Sequence, residues 1–366
     1  QRTAEEIARC EKSKIGPYLC GAVQEKLRPQ VPAAELFAEG AIRMSAGAIH
    51  TVKPLEVKIP KGRLTAVTGV SGSGKTTLIL ESLIPALEAQ IRGKALPAHV
   101  RSVDAAGIGQ VKLIDATPIG INVRSTVATY ADVHDELRKI FARTADAKAR
   151  GYKAGDFSYN TGSLRCPVCD GTGTISLDVQ FLPDVDIPCP DCRGTRYARE
   201  AQAVRCKTKD GKEYSLPDVM AVNVHSALAA CRDMKLVCRR LQVLDDLGLG
   251  YLTLGEATPS LSGGEAQRLK LAGEMDRAQQ DSVFVFDEPT IGLHPLDVKT
   301  LVNVFQTLIG QGATIIVIEH DLDVIRSADY VIDMGPGGGE EGGTIVAAGT
   351  PEDIKNSPAS KTGKFL

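Results

Sequence analysis

The 366-residue chain has no tryptophan, and aromatic residues make up only 4% of it. A platform of rings for stacking nucleobases is therefore not an obvious theme. No apolar run reaches the roughly 18 to 20 residues that a membrane-spanning helix needs, so no membrane partner is expected. The opening residues, Gln1-Arg2-Thr3-Ala4-Glu5-Glu6, lack the basic start and apolar segment of a secretion signal. An initiator methionine is missing as well, which points to an internal segment of a longer protein or a processed product. The net charge of −2 supplies no global basic field, so any surface for a polyanion must be local. Together these absences predict a cytoplasmic location.

What is present is a large apolar fraction, 43% of the residues, enough for a sizeable core and for two or three structural units. Short β-rich runs at 63–68 and 111–115 flank a helical stretch at 76–89, which Pro85 is expected to kink or break. From about residue 117 the pattern changes. Helical character at 132–150 gives way to a Gly- and Cys-rich stretch at 151–195, then to a helix at 226–247. After residue 254 an αβ pattern returns, with buried strands at 283–286 and 314–318, a helix at 297–309 and a strand at 344–346. The expected organisation is an N-terminal segment 1–45, a first part of an αβ core at 46–116, an insertion at 117–254 and a second core part at 255–366.

Gly69-Val70-Ser71-Gly72-Ser73-Gly74-Lys75-Thr76 follows a strand and opens a helix, the context a phosphate-binding loop requires. The backbone at Gly69, Ser71, Gly72 and Gly74 can wrap phosphates, and the helix N-terminus adds positive potential. Lys75 is expected on the terminal phosphates, Thr76 on magnesium, and Thr77 beside them. The strand at 283–286 ends in Asp287 and Glu288. Asp287 is placed for the magnesium and Glu288 for general-base activation of water. His320 ends the next strand, where it can sit beside a γ-phosphate. Asp297, ten residues past Asp287, is expected where two ATPase subunits meet. Between these segments lies Leu261-Ser262-Gly263-Gly264-Glu265-Ala266-Gln267-Arg268. It resembles the ABC-ATPase signature, in which Ser262, Gly263, Gly264 and Glu265 serve the ATP of an opposing domain.

Nine cysteines are present, and four form two Cys-x-x-Cys pairs, Cys166/Cys169 and Cys189/Cys192, with nineteen residues between them. That spacing predicts a four-thiolate structural zinc site within a module at 160–200. Cys10, Cys20, Cys206, Cys231 and Cys238 have no such spacing and are expected as ordinary thiols. Between the pairs, 175–181 alternates like one arm of a hairpin. Residues 138–212 hold fourteen Lys and Arg against nine Asp and Glu, a local basic excess that suits a polyanion or simply a solvated surface.

In this order the motifs resemble the UvrA subunit of the bacterial nucleotide-excision-repair excinuclease, specifically its C-terminal half. The residues that carry the resemblance are Gly69 through Thr77, Pro118-Ile119-Gly120, Phe181-Leu182-Pro183-Asp184-Val185, Leu247-Gly248-Leu249-Gly250-Tyr251, Leu261 through Arg268, Asp287-Glu288-Pro289-Thr290-Ile291-Gly292-Leu293-His294 and Ile318-Glu319-His320-Asp321. The resemblance implies an α/β fold, an ABC-type P-loop ATPase core with an inserted, mostly helical signature region bearing a four-cysteine zinc module. It implies ATP or ADP, Mg2+ and Zn2+ as cofactors, and damaged double-stranded DNA as partner. A second nucleotide-binding half or a homodimer is implied too, with a UvrB-like partner reached only through an N-terminal half. Arg124 matches a family segment near DNA, and Arg193 and Arg196 are the candidate DNA-facing cations of the zinc module. One departure stands out. The family has Asp-Gln-[Ser/Thr]-Pro-Ile-Gly where this chain has Asp115-Ala116-Thr117-Pro118-Ile119-Gly120. Loss of that glutamine leaves an alternative open: a paralogue that clamps DNA or a drug–DNA complex with weak or no hydrolysis. The run Cys166 to Gly173 also resembles one DnaJ cysteine repeat, but it is a single complete copy and the phosphate loop argues against a chaperone module.

Overall fold

The computed structural model describes residues 28–366 apart from 121–122, 178–184, 210 and 276–278, together with Thr3, Glu6, Ala8, Cys10 and Ser13. Cys20, most of the expected hairpin arm beyond Leu177, and Phe181 to Asp184 lie outside the described residues. In chain order the strands are β1 Ala41–Ala46, β2 Leu55–Pro60, β3 Leu64–Gly69, β4 Val100–Asp104, β5 Gln110–Ile114, β6 Thr174–Leu177, β7 Val185–Pro188, β8 Cys206–Lys207, β9 Glu213–Tyr214, β10 Ser282–Asp287, β11 Thr314–Ile318, β12 Tyr330–Gly335 and β13 Thr344–Gly349. The chain divides into two units, Gln1–Ala116 with Arg277–Leu366, and Thr117–Asp276.

The first unit is built on a six-stranded sheet of order β13-β12-β3-β11-β10-β5. All neighbours pair in parallel except β13, which runs antiparallel along β12. Parallel strands are covered on both faces, so they carry continuous apolar runs rather than alternation. Every residue of β3 and of β11 is buried, as is β10 up to its last residue. A second sheet, β2-β1-β4, is antiparallel. One core joins both sheets: Ile42, Met44 and Ile59 pack in the same cluster as Leu78, Ile79 and Leu83 of the helix after β3, and as Val285, Ile316 and Ile318.

That helix is not broken at Pro85. It runs as a π-helix over Thr77–Leu83 and continues as an α-helix over Ile84–Ile91. The wider i→i−5 turn, seen in the Ile84 N–H bonding to the Ile79 carbonyl, puts Pro85 in the first turn of the α-helical part. There its missing N–H costs little.

The second unit is mostly helical. The expected single helix at 226–247 is two, Val224–Ala230 and Lys235–Asp246. The break is closed by a bond from the Met234 N–H to the Cys231 carbonyl, while the Asp233 carboxylate accepts the Lys209 N–H. Two small antiparallel pairs, β6-β7 and β8-β9, complete it. The helix after the signature segment, Gly263–Met275, belongs to this unit.

Candidate functional site

Because β3, β11 and β10 are parallel neighbours, their carboxyl ends fall on one edge of the sheet, where ligands of open α/β sheets bind. Val67 pairs with Ile318, and Ile318 with Asp287. The phosphate loop leaves β3, Asp287 ends β10 with Glu288 just beyond it, and His320 follows β11, so these residues share one edge. Glycine is required at the start of the loop. Gly69 has φ +132°, and a Cβ there would stand 2.1 Å from the Met334 carbonyl oxygen. Ser71, Gly72 and Thr76 are exposed.

Lys75 is 6% exposed, and its ammonium donates to the Gly69 and Val70 carbonyls, each at 3.0 Å. Burial pushes its pKa down, against the pull of Glu288, Asp333 and Asp287. Asp287 feels the reverse. Burial pushes the Asp287 pKa up, and Glu288, Asp115 and Glu319 add to it, with Lys75 opposing. Several carboxylates held close around one lysine form a field that a divalent cation relieves, and Asp287 with the Thr76 hydroxyl suits hard oxygen ligation. Glu288 Oε1 lies 3.7 Å from His320 Nε2, with both side chains half exposed. Asp297 is half-buried in the first turn of the helix Pro295–Gly310. Ala116, exposed, brings no polar group to the segment after β5.

Two features of this edge escaped the sequence reading. The first is a second glycine segment that braces the phosphate loop. The Gly339 N–H bonds to the Gly72 carbonyl at 3.1 Å and the Gly343 N–H to the Ser73 carbonyl at 3.1 Å. A Cβ on Gly338 would stand 2.5 Å from the Ser71 carbonyl oxygen. Its only sequence signal is the run Gly337-Gly338-Gly339. The second is Glu319, a buried carboxylate that bonds to backbone on both sides of the edge.

In the second unit the signature segment caps its own helix. The Ser262 N–H donates to Glu265 Oε2 at 2.6 Å, and the Glu265 N–H faces Ser262 Oγ at 3.4 Å. This is the reciprocal arrangement of a capping box. Tyr251 donates its phenol to Glu265 Oε1 at 2.5 Å. The Glu265 pKa is lowered because these hydrogen bonds and Arg268 outweigh its burial. Gly263 and Gly264 open the helix.

The four cysteines converge. All their sulfurs lie within 4.8 Å of one another and all are buried. Cys166 and Cys189 are 3.9 Å apart and Cys169 and Cys192 3.6 Å, close to the edge of about 3.8 Å for a tetrahedron of thiolates around zinc. The two knuckles repeat each other. Asp170 and Arg193 both have left-handed backbones, at φ 49° and 51°. Thr172 and Thr195 each donate a hydroxyl to the carbonyl of the preceding cysteine, at 2.7 and 2.8 Å. Where the first knuckle has Gly173 at φ +82°, the second has Arg196 at φ 72°.

The three arginines expected near DNA differ. Arg193 is exposed. Arg124 instead tethers the first knuckle, bonding to the Asp170 carbonyl at 2.7 Å and to its carboxylate at 2.8 Å. Arg196 is only 6% exposed and donates to the Val123 carbonyl at 2.9 Å.

No family model matches the chain. Over its whole length it is 44% identical to UvrABC system protein A of Bacillus subtilis, of which it covers 38%. It is 43% identical over 99% of its length to UvrABC system protein A of Streptomyces avermitilis, covering 36% of that protein. The crystal structure of UvrA2 from Deinococcus radiodurans matches 99% of this chain with a TM-score of 0.88 at 39% identity, and the match covers 43% of that structure. The chain resembles UvrA from end to end. It spans less than two fifths of the curated UvrA relatives named here, which fits the expected C-terminal half. Its fold is accordingly α/β, a phosphate-loop core with an inserted, largely helical region that carries the four-cysteine cluster. Among the described residues no helix is long and apolar enough to cross a membrane.

Proposed function

We propose that this chain is the ATP-binding, C-terminal part of a UvrA-type protein of nucleotide excision repair, in which ATP hydrolysis controls dimerisation and recognition of damaged DNA. The observation that carries the reading is the sheet edge where Lys75, Asp287, Glu288 and His320 meet at the ends of adjacent strands. Lys75 exchanges the Gly69 and Val70 carbonyls for the terminal phosphates of ATP. Thr76 and Asp287 hold magnesium, which when bound offsets phosphate charge and aligns the terminal group. Glu288 accepts the proton of the attacking water, and His320 steadies it from the next strand. Ser262 through Glu265 serve the ATP of a second nucleotide-binding half or a second copy, near whose contact Asp297 lies. Cys166, Cys169, Cys189 and Cys192 hold a structural zinc. A UvrB-like partner engages through the N-terminal half, and the protein is cytoplasmic.

ATP turnover by the intact protein, measured with and without damaged duplex DNA, tests this reading. Turnover that DNA modulates, and that Glu288→Gln abolishes while ATP stays bound, is the expected result. If the intact protein binds ATP but never hydrolyses it, the enzyme reading is wrong and the clamp alternative opened by Ala116 replaces it. The clamp is not favoured, because Glu288 and His320 both stand at the edge where hydrolysis needs them.

A further inference from the structure

Glu319 is 2% exposed, and the chemistry proposed above leaves it unused. Burying a carboxylate is costly unless hydrogen bonds replace its water. Here three backbone donors do so. Oε1 accepts the Thr290 N–H at 2.9 Å, and Oε2 accepts the His320 N–H at 2.7 Å and the Asp321 N–H at 3.0 Å. The donors come from two different turns. Thr290 is two residues beyond Glu288, whereas His320 and Asp321 follow β11. The Glu319 N–H also bonds to the Val67 carbonyl of the phosphate-loop strand at 3.1 Å.

Glu288 needs such support. Its backbone is left-handed, at φ 46°, a conformation that a glutamate keeps only where its surroundings hold it. Its N–H is tied to the Ile318 carbonyl at 3.0 Å, one residue before Glu319. The turn carrying Glu288 and the turn carrying His320 are thus joined through one buried side chain and its neighbour.

We propose that Glu319 is the positioning residue that holds Glu288 and His320 in register with each other and with the phosphate loop. Only a carboxylate has acceptors on both oxygens and no donor, so it satisfies both turns at once. Glutamine satisfies one turn and turns its amide N–H groups on the other. Aspartate is one methylene too short to reach both. The inference rests on the ATPase reading for its functional consequence and on the hydrogen bonds alone for its structural one.

The test uses the intact protein with Glu319→Gln and Glu319→Asp. Misplacement of catalytic groups predicts a fall in kcat of about 10²-fold. The Kd of a non-hydrolysable ATP analogue should stay within about twofold, because the substitutions change only the side chain and leave the backbone bond from Glu319 to Val67 of the phosphate-loop strand in place. Amide exchange should quicken at least about tenfold in the segments containing Thr290 and His320–Asp321, as expected when local opening becomes easier. An unchanged kcat in a wild-type protein that turns over ATP overturns the proposal. So does a parallel loss of kcat and analogue affinity, which marks a merely structural residue. If the wild-type protein hydrolyses no ATP, the ATPase reading fails on its own, and the exchange experiment still decides: unaltered protection at both turns sinks the positioning role.

Discussion

The guanidinium of Arg196 lies over the ring of Tyr159, 5.3 Å from its centroid. Tyr159 in turn donates its phenol to the Arg124 carbonyl at 3.1 Å. The second cysteine knuckle is thereby fastened to the segment 123–126, which makes a single bridge from Thr126 to Ala257. Arg196, a candidate DNA contact by sequence, is thus bonded inside the unit.

Replacement separates the two roles. Arg196→Ala loses a buried charge-assisted hydrogen bond and a cation–π contact, and should destabilise the unit by about 3 kcal/mol. It should leave the salt dependence of DNA binding unchanged. Arg193→Ala should do the opposite, with stability unaltered and the slope of log K against log salt lower by about 0.9, one phosphate contact. Urea unfolding and DNA titrations at several salt concentrations check both. A slope that changes for Arg196→Ala would restore it to the DNA surface.

The cysteine cluster predicts one zinc per chain. Cys166→Ser removes one of four thiolates and should lower zinc affinity at least about 100-fold. Cys231→Ser should retain the metal. Cys231 is also buried, and that burial pushes its thiol up to about 12, the character of an inert core thiol. Metal analysis of the three proteins after dialysis against a mild chelator makes the comparison. Zinc absent from the wild type, or lost equally from Cys231→Ser, defeats the assignment.

Gly338 tests the brace behind the phosphate loop. An alanine there would place Cβ 2.5 Å from the Ser71 carbonyl oxygen, a backbone atom that cannot step aside without moving the loop. Affinity for an ATP analogue should drop about tenfold, or about 1.4 kcal/mol. Gly310→Ala is the control, because a Cβ on Gly310 meets nothing within 4 Å. Equal affinity in the two variants would mean that the loop does not depend on its brace.

Much of the candidate site was legible because its signals are local. A phosphate loop needs glycines beside a lysine at fixed offsets, and a parallel strand covered on both faces needs an unbroken apolar run such as Val283 to Phe286. The Cys-x-x-Cys spacing is set by the geometry of a knuckle. What stayed hidden depends on long-range packing. Gly338 meets Ser71 and Glu319 meets Thr290 only after the sheet has formed. An arginine two residues past a knuckle glycine looks like a surface cation until Tyr159 arrives from another segment. Pro85 misled for a different reason, since the π-helical turns before it shift the bonding pattern so that its missing donor is not needed.

The same aromatic cluster carries a pH dependence. His134 is 3% exposed and packs 4.7 Å from the Tyr159 ring. Tyr197 donates its phenol to the Phe157 carbonyl at 2.9 Å, so it accepts from His134 Nε2 at 2.7 Å. Burial first, and then Arg138 and Arg196, lower its pKa to about 3, with Asp135 opposing. A folded pKa below the unfolded value near 6.5 gives a contribution that is full above pH 6.5 and is lost as pH falls toward 3. Between pH 7 and pH 5 this group should cost about 2 kcal/mol of stability. His134→Gln keeps a donor for Tyr197 but cannot titrate, so its unfolding free energy should fall less over that interval by the same amount. Urea unfolding of both proteins at pH 7 and pH 5 measures the difference. Identical pH dependences would show that His134 is charged or solvated in the folded protein.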